Sequence, residues 1–486
     1  MRADGPPLGA SVGAHQSPVA SVSAVSAIVA KARAAQRVFE TWPQQRVDEA
    51  VTAAAWAIVE PGRNRALAEL AVRATGLGDV TDKFAKNRRK TIGLLRDLEG
   101  AKSVGVISAD PERGLIEIAR PVGVVAAITP STNPAATPAN NILNALKGRN
   151  AIILAPSPKG QSTLTLLLEY VHAELDRIGA PRDLVQQLPA PVARDETFAL
   201  MREADLVVAT GSQTNVRAAY TSGTPAIGVG AGNVAVIVDE TADIAAAAAK
   251  IARSKTFDHA TSCSSENSVI GLAQVYDALV AAFAVQGGVL LRADEGRQLE
   301  AAMFGTGKLA PEFIAQSAAI IAARANLSRP EVRSAKFLIV AETGVGPEHP
   351  FSGEKLSPVL ALYRVDDFAA AAALAERLLR FQGAGHSVGL HTRQPERALQ
   401  LGLTLPVCRV IVNQAHCFAT GGSFDNALPF SLSMGCGTWG GNSISDNLNN
   451  RHFLNITRVV HPLAPEFARE PNDAEFFADY RRKYGL

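Results

Sequence analysis

The first hundred residues carry a helical pattern of hydrophobic positions. Between residues 21 and 39 the apolar side chains recur every three or four positions, at Val22, Val25, Ile28, Val29 and Ala32. This spacing predicts an amphipathic helix that packs its stripe on a core, with a docking helix for a partner as the alternative. Helices rich in Ala, Arg and Leu continue through residues 21–100, whereas residues 113–120 alternate apolar and polar positions, which predicts a half-exposed strand.

Short apolar runs then alternate with helical stretches. The runs predict strands buried on both faces, at residues 122–128, 151–154, 184–188, 205–209 and 234–238. Helices are predicted at residues 140–146 and 162–178. Strands that alternate with helices favour a parallel, doubly wound sheet. Ligands of such sheets lie at the carboxyl ends of the strands, where loops 129–134 and 210–213 are expected.

A second α/β unit is predicted from residue 256 to residue 445. Its strands are expected at residues 268–270, 336–340, 359–365, 387–390 and 409–412, with a helix at 367–380. The chain is therefore expected to have four parts, which are a flexible tail (1–18), a first unit (19–255), a second unit (256–445) and a C-terminal segment (446–486).

Composition narrows the class of protein. Apolar residues make up 47% and charged residues 19% of the 486 residues, as in ordinary soluble globular proteins. The 48 basic and 46 acidic residues nearly cancel, which gives no reason to expect nucleic acid or a membrane surface as a partner. The sequence has no membrane-length apolar run, and prolines in residues 1–18 break any signal core. Four cysteines without metal-site pairing predict free thiols, a cytoplasmic location and no metal.

Cys263 has the surroundings of a nucleophile. It lies in Ala-Thr-Ser-Cys-Ser-Ser-Glu, among small hydroxyl residues, with His259 and Glu266 near in sequence. A reactive thiol must be partly open and must favour its anion. Taken alone, the same cysteine also fits a buried small hydrophobic residue.

Two loops follow predicted strands and carry polar groups. In Thr129-Pro-Ser-Thr-Asn133-Pro, prolines fix the loop and leave the Asn133 amide free to stabilise an oxyanion, although an ordinary Asn-Pro turn also fits. In Thr-Gly211-Ser212-Gln, a Gly-Ser pair that opens a helix suits a phosphate, although a simple helix cap also fits.

Three more loops stand out by composition. The glycine-dense run 228–233 requires close backbone approach or a tight turn. The motif Glu354-Lys-Leu-Ser-Pro358 precedes the apolar run 359–363, and the Glu354 carboxylate suits ribose hydroxyls or a solvated surface position. The run 435–442, Gly-Cys-Gly-Thr-Trp-Gly-Gly-Asn, frames a pocket mouth or forms a packed loop.

The order of these motifs resembles the aldehyde dehydrogenase superfamily over residues 115–445. The phrases that look closest to its CoA-acylating branch are Thr-Pro-Ser-Thr-Asn-Pro, Ser-Cys-Ser-Ser-Glu, Glu-Lys-Leu-Ser-Pro and Gly-Cys-Gly-Thr-Trp-Gly-Gly-Asn. The resemblance implies an α/β fold with a Rossmann-type parallel-sheet domain for the nucleotide (19–255), an α/β catalytic domain (256–445) and a small oligomerisation strand region.

The resemblance also implies roles for individual residues. Cys263 falls at the nucleophile and Asn133 at the oxyanion-hole amide, with Ser212 near the pyrophosphate and Glu354 at the nicotinamide ribose. The residues expected to bind NAD or NADP are Thr129, Pro130, Ser157, Gly211, Ser212, Gly230, Glu354 and Pro358.

Two positions depart from the hydrolytic members. Gly228 is expected where they carry a Glu that activates water, which favours transfer to a thiol. Ala155, followed by Pro-Ser-Pro-Lys159, is expected where they carry a Lys that binds the adenosine ribose, which leaves NAD and NADP open.

The expected reaction is aldehyde, CoA and NAD(P)+ giving acyl-CoA and NAD(P)H through a Cys263 thioester. The alternatives are a hydrolytic aldehyde dehydrogenase, or a non-redox cysteine acyltransferase with His259 or His416 as its base. The branch suits small aldehydes of two to four carbons, including sulfonated ones such as sulfoacetaldehyde. Strands at 113–120 and 453–460 lie outside the two units, so we expect a homodimer or homotetramer with these edges at its interface, or a local hairpin as the alternative.

Overall fold

The computed structural model describes residues 18–486, so residues 1–17 of the predicted tail lie outside the described residues. The helices predicted for residues 21–100 are confirmed. They are α1 (Pro18–Phe39), α2 (Gln44–Val59), α3 (Pro61–Thr75) and α4 (Val80–Leu98). Helix α4 begins after Asp79, whose side chain accepts a hydrogen bond from the Asp82 N–H and so caps the helix.

An antiparallel hairpin follows, with strands β1 (Gly105–Asp110) and β2 (Leu115–Pro121). The strand predicted at 113–120 is confirmed as β2. Strand β1 was not foreseen, because its sequence Gly-Val-Ile-Ser-Ala-Asp places two apolar residues side by side and lacks a period of two.

The first sheet has five parallel strands in the order β5-β4-β3-β6-β7. Its strands are β3 (Val124–Thr129), β4 (Ala151–Pro156), β5 (Val185–Gln187), β6 (Leu206–Ala209) and β7 (Ala226–Gly228). The helices of this part are α5 (Ala136–Lys147), α6 (Gln161–Arg177), α7 (Arg194–Glu203) and α8 (Gln213–Tyr220). Strands β3 and β4 are buried along their whole length, as continuous apolar runs predict.

The second sheet has seven parallel strands in the order β10-β11-β12-β9-β8-β13-β14. Its strands are β8 (Val234–Val238), β9 (Glu266–Leu272), β10 (Gly288–Leu290), β11 (Phe337–Ala341), β12 (Val359–Val365), β13 (Val388–His391) and β14 (Val410–Val412). Its helices are α9 (Ile244–Thr256), α10 (Tyr276–Val285), α11 (Ala293–Phe304), α12 (Ala318–Arg324), α13 (Pro330–Arg333), α14 (Phe368–Phe381), α15 (Pro395–Thr404) and α16 (His416–Ala419).

One strand lies in a different sheet from the one predicted. The alternation of elements predicts 234–238 as the fifth strand of the first sheet, but β8 pairs with β9 and β13. An apolar run carries no information about its partners, and the fifth position is filled by the three-residue β7, which is too short to detect. The change of sheet therefore falls between Gly228 and Val234, upstream of the predicted division at residue 255.

The chain ends with β15 (Leu454–Val460) and helix α17 (Asp473–Tyr484). Strand β15 pairs antiparallel with β2 and completes a three-stranded sheet in the order β1-β2-β15. The predicted C-terminal segment begins inside the first core, where Leu448 and Phe453 are buried. In the part of the chain that the structure describes, no helix is long and apolar enough to cross a membrane.

Candidate active site

A cavity of about 650 Å³ lies where the carboxyl ends of β3 and β6 meet the loop before β9. Of the predicted site residues, those that line it are Thr129, Pro130, Asn133, Ser157, Gly211, Ser212, Gly230, Cys263 and Glu354. Pro358 does not line the cavity, and its carbonyl accepts the Leu338 N–H of the second sheet at 2.9 Å. The cavity thus joins motifs that are distant in sequence, while the roles assigned to them stay predictions.

The loop that carries Cys263 has an unusual backbone. After α9 a short 3-10 helix places Asp258, His259 and Ala260 consecutively at positive φ, 50°, 48° and 58°. Each such non-glycine residue costs about 1–3 kcal/mol and persists only where its surroundings hold it. Here the Asp258 N–H donates to Asp82 Oδ2 at 2.7 Å, so helix α4 anchors the loop.

The Asp258 carboxylate is the charged centre of this anchor. Its Oδ2 accepts hydrogen bonds from Lys83 Nζ at 3.1 Å, from Thr261 Oγ1 at 2.7 Å and from Lys86 Nζ. Burial acts to raise the pKa of Asp258, but Lys86 and Lys83 outweigh it and lower that pKa to about 2. The carboxylate therefore stays ionised and ties the Cys263 loop to α4.

The same ion pair fixes the Asn133 amide. Lys86 Nζ donates to Asn133 Oδ1 at 2.9 Å. The lysine holds the amide by its oxygen and so fixes the orientation of the amide. The Asn133 Nδ2 hydrogens remain for an acceptor in the cavity that Cys263 also lines. The arrangement suits an oxyanion hole, in which Lys86 would position the Asn133 amide.

A chain of hydrogen-bonding groups leads away from the Cys263 thiol. Cys263 Sγ lies 3.5 Å from His386 Nε2, and His386 Nδ1 lies 2.7 Å from Ser387 Oγ. Ser387 Oγ in turn lies 2.8 Å from His416 Nε2. The His416 backbone N–H donates to Glu266 Oε1 at 3.2 Å. A proton released at Cys263 can therefore pass to the His386 ring, which is in hydrogen-bond contact with the Ser387 hydroxyl.

Burial keeps this pair of side chains neutral. Burial, with smaller effects from Glu354 and Cys436, raises the pKa of the Cys263 thiol to about 12. Burial, with a smaller effect from Arg409, lowers the pKa of His386 to about 3. At neutral pH the resting form is therefore a thiol beside an uncharged imidazole.

The base among the histidines differs from the one expected. The sequence suggests His259 or His416 for a non-redox mechanism, but the histidine in hydrogen-bond contact with the thiol is His386. His416 is two links further along the chain of hydrogen bonds. His386 follows a glycine just before β13, and no motif or spacing connects it with Cys263, 123 residues earlier.

The glycine turn packs against the Cys263 loop. A Cβ on Gly232 would lie 2.1 Å from the Cys263 carbonyl oxygen, and one on Gly230 would lie 2.7 Å from Cys436 Sγ. Gly228, by contrast, ends β7, and a Cβ there would lie 2.5 Å from Val216. Gly228 therefore points away from the cavity, and a carboxylate at this position would not reach Cys263. Residues 229–232 do line the cavity, and none of them carries a carboxylate that could activate water.

The wall formed by the first sheet fits a dinucleotide. Ser157 Oγ is buried and has no hydrogen-bond partner among the described residues. Ser212 caps α8, which presents its N-terminal N–H groups beside Gly211 at φ 143°. Burial raises the pKa of Glu354 to about 8 against the opposing effect of Lys255, so its carboxyl is mostly protonated and can donate to a ribose oxygen. Within the described residues, no group of three His, Cys, Asp or Glu could hold a metal.

Comparison with known proteins identifies the family. Residues 10–294 match the model of the aldehyde dehydrogenase family. The chain is 62% identical to an acylating sulfoacetaldehyde dehydrogenase of Cupriavidus necator, over 96% of this chain and 94% of that one. An acetylating aldehyde dehydrogenase from Geobacillus thermoglucosidasius superposes with a TM-score of 0.89 at 35% identity, covering 95% of this chain and 100% of that one.

A further solved structure has nucleotide bound. An engineered glycolyl-CoA reductase with bound NADP+ superposes with a TM-score of 0.79 at 25% identity, over 91% of this chain and 98% of that one. Similarity along nearly the whole chain, the Cys263–Asn133 cavity and the dinucleotide wall agree with one another. The chain belongs to the aldehyde dehydrogenase family, in its CoA-acylating branch.

Proposed function

We propose that this enzyme converts sulfoacetaldehyde, CoA and NAD(P)+ into sulfoacetyl-CoA and NAD(P)H. The observation that carries this proposal is the 62% identity with an acylating sulfoacetaldehyde dehydrogenase along nearly the full length of both chains. The cavity supports the reaction type, since Cys263 and the Asn133 amide line it and the Cys263 thiol is in contact with His386.

The first step is attack by Cys263 Sγ on the aldehyde carbon. The pKa values of about 12 for Cys263 and about 3 for His386 disfavour a standing thiolate–imidazolium pair. The proton therefore leaves Sγ as the carbon–sulfur bond forms, with His386 Nε2 as its acceptor at 3.5 Å. Ser387 and His416 hold the His386 ring in place from behind.

The carbonyl oxygen becomes negatively charged in this step. The Asn133 Nδ2 group, oriented through Lys86, and by family resemblance the Cys263 N–H stabilise that charge. When bound, the nicotinamide supplies the hydride acceptor. Cys263 is then left as a thioester, from which the acyl group has to leave to a second nucleophile.

The second nucleophile is the CoA thiol. Its ionised form attacks the thioester carbon, the Cys263–carbon bond breaks, and the proton that His386 took in the first step returns to Cys263 Sγ as acyl-CoA is released. A thiol of ordinary pKa about 8.5 is partly ionised at neutral pH and needs less activation than water. Within the described residues that line the cavity, Glu354 is the one carboxylate, and its pKa of about 8 leaves most of it protonated at neutral pH, in a form that accepts no proton from water.

The test is an aldehyde panel assayed with purified enzyme. NAD(P)H formation from sulfoacetaldehyde, acetaldehyde and propionaldehyde is measured with and without CoA, with NAD+ and NADP+, and products are identified by mass spectrometry. We expect CoA-dependent turnover, a sulfoacetyl-CoA product and the highest kcat/KM for sulfoacetaldehyde. Free sulfoacetate formed without CoA would show a hydrolytic enzyme, and acyl transfer without NAD(P)H would show a non-redox acyltransferase.

We also propose a homodimer or a dimer of dimers in the cytoplasm. Strand β15 is an edge of the small sheet, and Val459 and Val460 on it are exposed, so a second copy has an edge to cover. All four cysteines lie among the described residues as free thiols, which agrees with a reducing compartment. Light scattering tests the assembly, since a particle of 51.0 kDa would be a single chain.

A further inference from the structure

A second cavity lies near the one that Cys263 lines. It encloses about 780 Å³ and is lined by phenylalanines and arginines, at Phe84, Phe257, Phe418, Arg88, Arg89 and Arg253. Among the described residues it shares no lining residue with the cavity that holds Ser157 and Ser212. Its charged lining is three arginines and Asp82, so its mouth is cationic.

A small hollow of about 30 Å³ connects the two cavities. It shares Arg89, Phe257 and Phe418 with the outer cavity. It shares Lys90 and Asn133 with the cavity of Cys263. Its volume is enough for about two water molecules, and therefore for part of a small anionic group. The hollow therefore places Arg89 and Lys90 between the outer cavity and the cavity of Cys263.

Lys90 lines this hollow as a buried cation that no carboxylate neutralises among the described residues. Its side chain is 7% exposed, and its Nζ donates to the Gly421 carbonyl at 2.6 Å and the Ser431 carbonyl at 3.2 Å. Among the described residues no carboxylate lies within 4.0 Å of this ammonium, which has a third hydrogen to donate. Burial, with Arg89 next, lowers the pKa of Lys90 to about 7, as for a cation that lacks its counter-ion.

Arg89 is a second cation with the same property. Its Nη2 donates to the Phe418 carbonyl at 3.0 Å and to Ser423 Oγ at 2.9 Å, and its guanidinium lies 5.2 Å from the Phe418 ring centre. Within the described part of the chain, no carboxylate lies within 4.0 Å of it, although Asp425 is near enough to act on its pKa. Several guanidinium hydrogens therefore remain for a ligand.

Lys86 provides the contrast one turn earlier on α4. Its ammonium is neutralised by Asp258 and donates to Asn133, so it is committed to the catalytic groups. Lys90 and Arg89 line the same hollow as Lys86 but have no carboxylate partner within 4.0 Å among the described residues. A cation left unpaired in a substrate path is complementary to an anionic substrate.

We propose that Lys90 and Arg89 form an anion subsite that binds the charged end of the aldehyde and selects substrates with a sulfonate or carboxylate. The inference rests on the proposed function and adds the residues that set its substrate class. In a two-carbon sulfonated aldehyde the anion is one carbon away from the carbonyl. Lys90, which lines the cavity of Cys263, holds the bound anion, and Arg89, which lines the hollow beside it, adds a second positive charge.

The test compares a charged with an uncharged aldehyde in the same variants. For Lys90→Met we expect kcat/KM for sulfoacetaldehyde to fall about 10²-fold, as for loss of a charged hydrogen bond, while kcat/KM for propionaldehyde changes less than about 3-fold. For Arg89→Met we expect a loss of about 10-fold with sulfoacetaldehyde only. Lys90→Arg, which keeps the charge, should retain most of the preference. Lys147→Met is the matched control, because this lysine is also buried but pairs with Asp48 away from both cavities.

A binding measurement separates this proposal from the proposed function. Ethanesulfonate, which has no carbonyl, should compete with propionaldehyde in the wild type and compete about 10²-fold more weakly in Lys90→Met. Equal inhibition of both proteins, or equal loss of both aldehydes in Lys90→Met and Arg89→Met, would overturn the subsite. If the wild type turns over propionaldehyde but not sulfoacetaldehyde, the proposed function fails, and the ethanesulfonate result still decides the subsite. If Lys90→Met does not fold, Arg89→Met and Lys90→Arg decide in its place.

Discussion

The two sides from which Cys263 can be approached differ in charge. The dinucleotide side is built from backbone and hydroxyl groups such as Gly211, Ser212 and Ser157. The aldehyde side is built from Lys90 and the arginines of the outer cavity. The first side suits a ligand that members of the family share, and the second distinguishes among aldehydes. Binding of the dinucleotide and selection of the aldehyde therefore depend on different residues, and mutations can alter one without the other.

The substitution with the largest expected effect is at Cys263, where the two walls meet. Cys263→Ser should lower kcat by at least about 10⁴-fold with every aldehyde, because a hydroxyl is a far poorer nucleophile at neutral pH. Stopped-flow absorbance of NAD(P)H measures the loss, and fluorescence titration with NADH checks that the dinucleotide wall is intact. Turnover near the wild-type rate would sink the thioester mechanism.

Asn133→Ala should act on both classes of aldehyde alike. Loss of an oxyanion donor typically lowers kcat by about 10²–10³-fold, and we expect the same factor with sulfoacetaldehyde and propionaldehyde. Lys86→Met should give a smaller loss, of about 10-fold, because the amide remains but is no longer oriented. A change confined to the KM for the dinucleotide would mean that Asn133 belongs to the other wall.

The pH dependence sharpens the contrast between the walls. The pKa of Lys90 is lowered to about 7, so the ammonium is present below that pH and is lost above it. Since Cys263 serves both aldehydes, its titration cancels in the ratio of kcat/KM for sulfoacetaldehyde to that for propionaldehyde. This ratio should fall about 10-fold between about pH 6 and about pH 8, and it should stay flat in Lys90→Arg. A flat ratio in the wild type would speak against an ammonium at the subsite.

The smallest expected effect lies on the dinucleotide side. Ser157→Ala should weaken NAD(P)H binding about 2–10-fold, as for loss of one neutral hydrogen bond, with no change in aldehyde preference. Ser162→Ala, on the exposed surface of α6, is the matched control. Calorimetric titration gives both values, and identical affinities would show that the buried Ser157 hydroxyl does not contact the nucleotide.

The positions of the residues on the proposed dinucleotide side were largely predictable from the sequence, because they lie in loops that directly follow buried strands. Thr129, Gly211 and Ser212 follow apolar runs that are visible in the chain, and the carboxyl ends of parallel strands meet at one edge. Pro358 was expected there too, but its position at the start of β12 places it in the second sheet.

The aldehyde side was not predictable in the same way. Helix α4 lies more than 160 residues before Cys263 and shows in sequence only as one of four amphipathic helices. The spacing of the lysines along the helix does not show that Lys86 pairs with the Asp258 carboxylate whereas Lys90 donates to two backbone carbonyls. His386 was missed for the same reason, since only the pairing of β8 with β13 brings that part of the chain beside the Cys263 loop.

Helix α4 has a consequence for changing this enzyme by mutation. Lys83, Lys86 and Lys90 are spaced by three and four residues, so they share one face of the helix and differ in depth along it. The first turns anchor the nucleophile loop through Asp258, and the next turn meets the incoming substrate. A library restricted to positions 88–92 would therefore explore new aldehydes without loosening the Asp258 anchor. A single turn of helix α4 therefore separates residues that can be mutated to change the substrate from residues that have to be kept to hold the Cys263 loop.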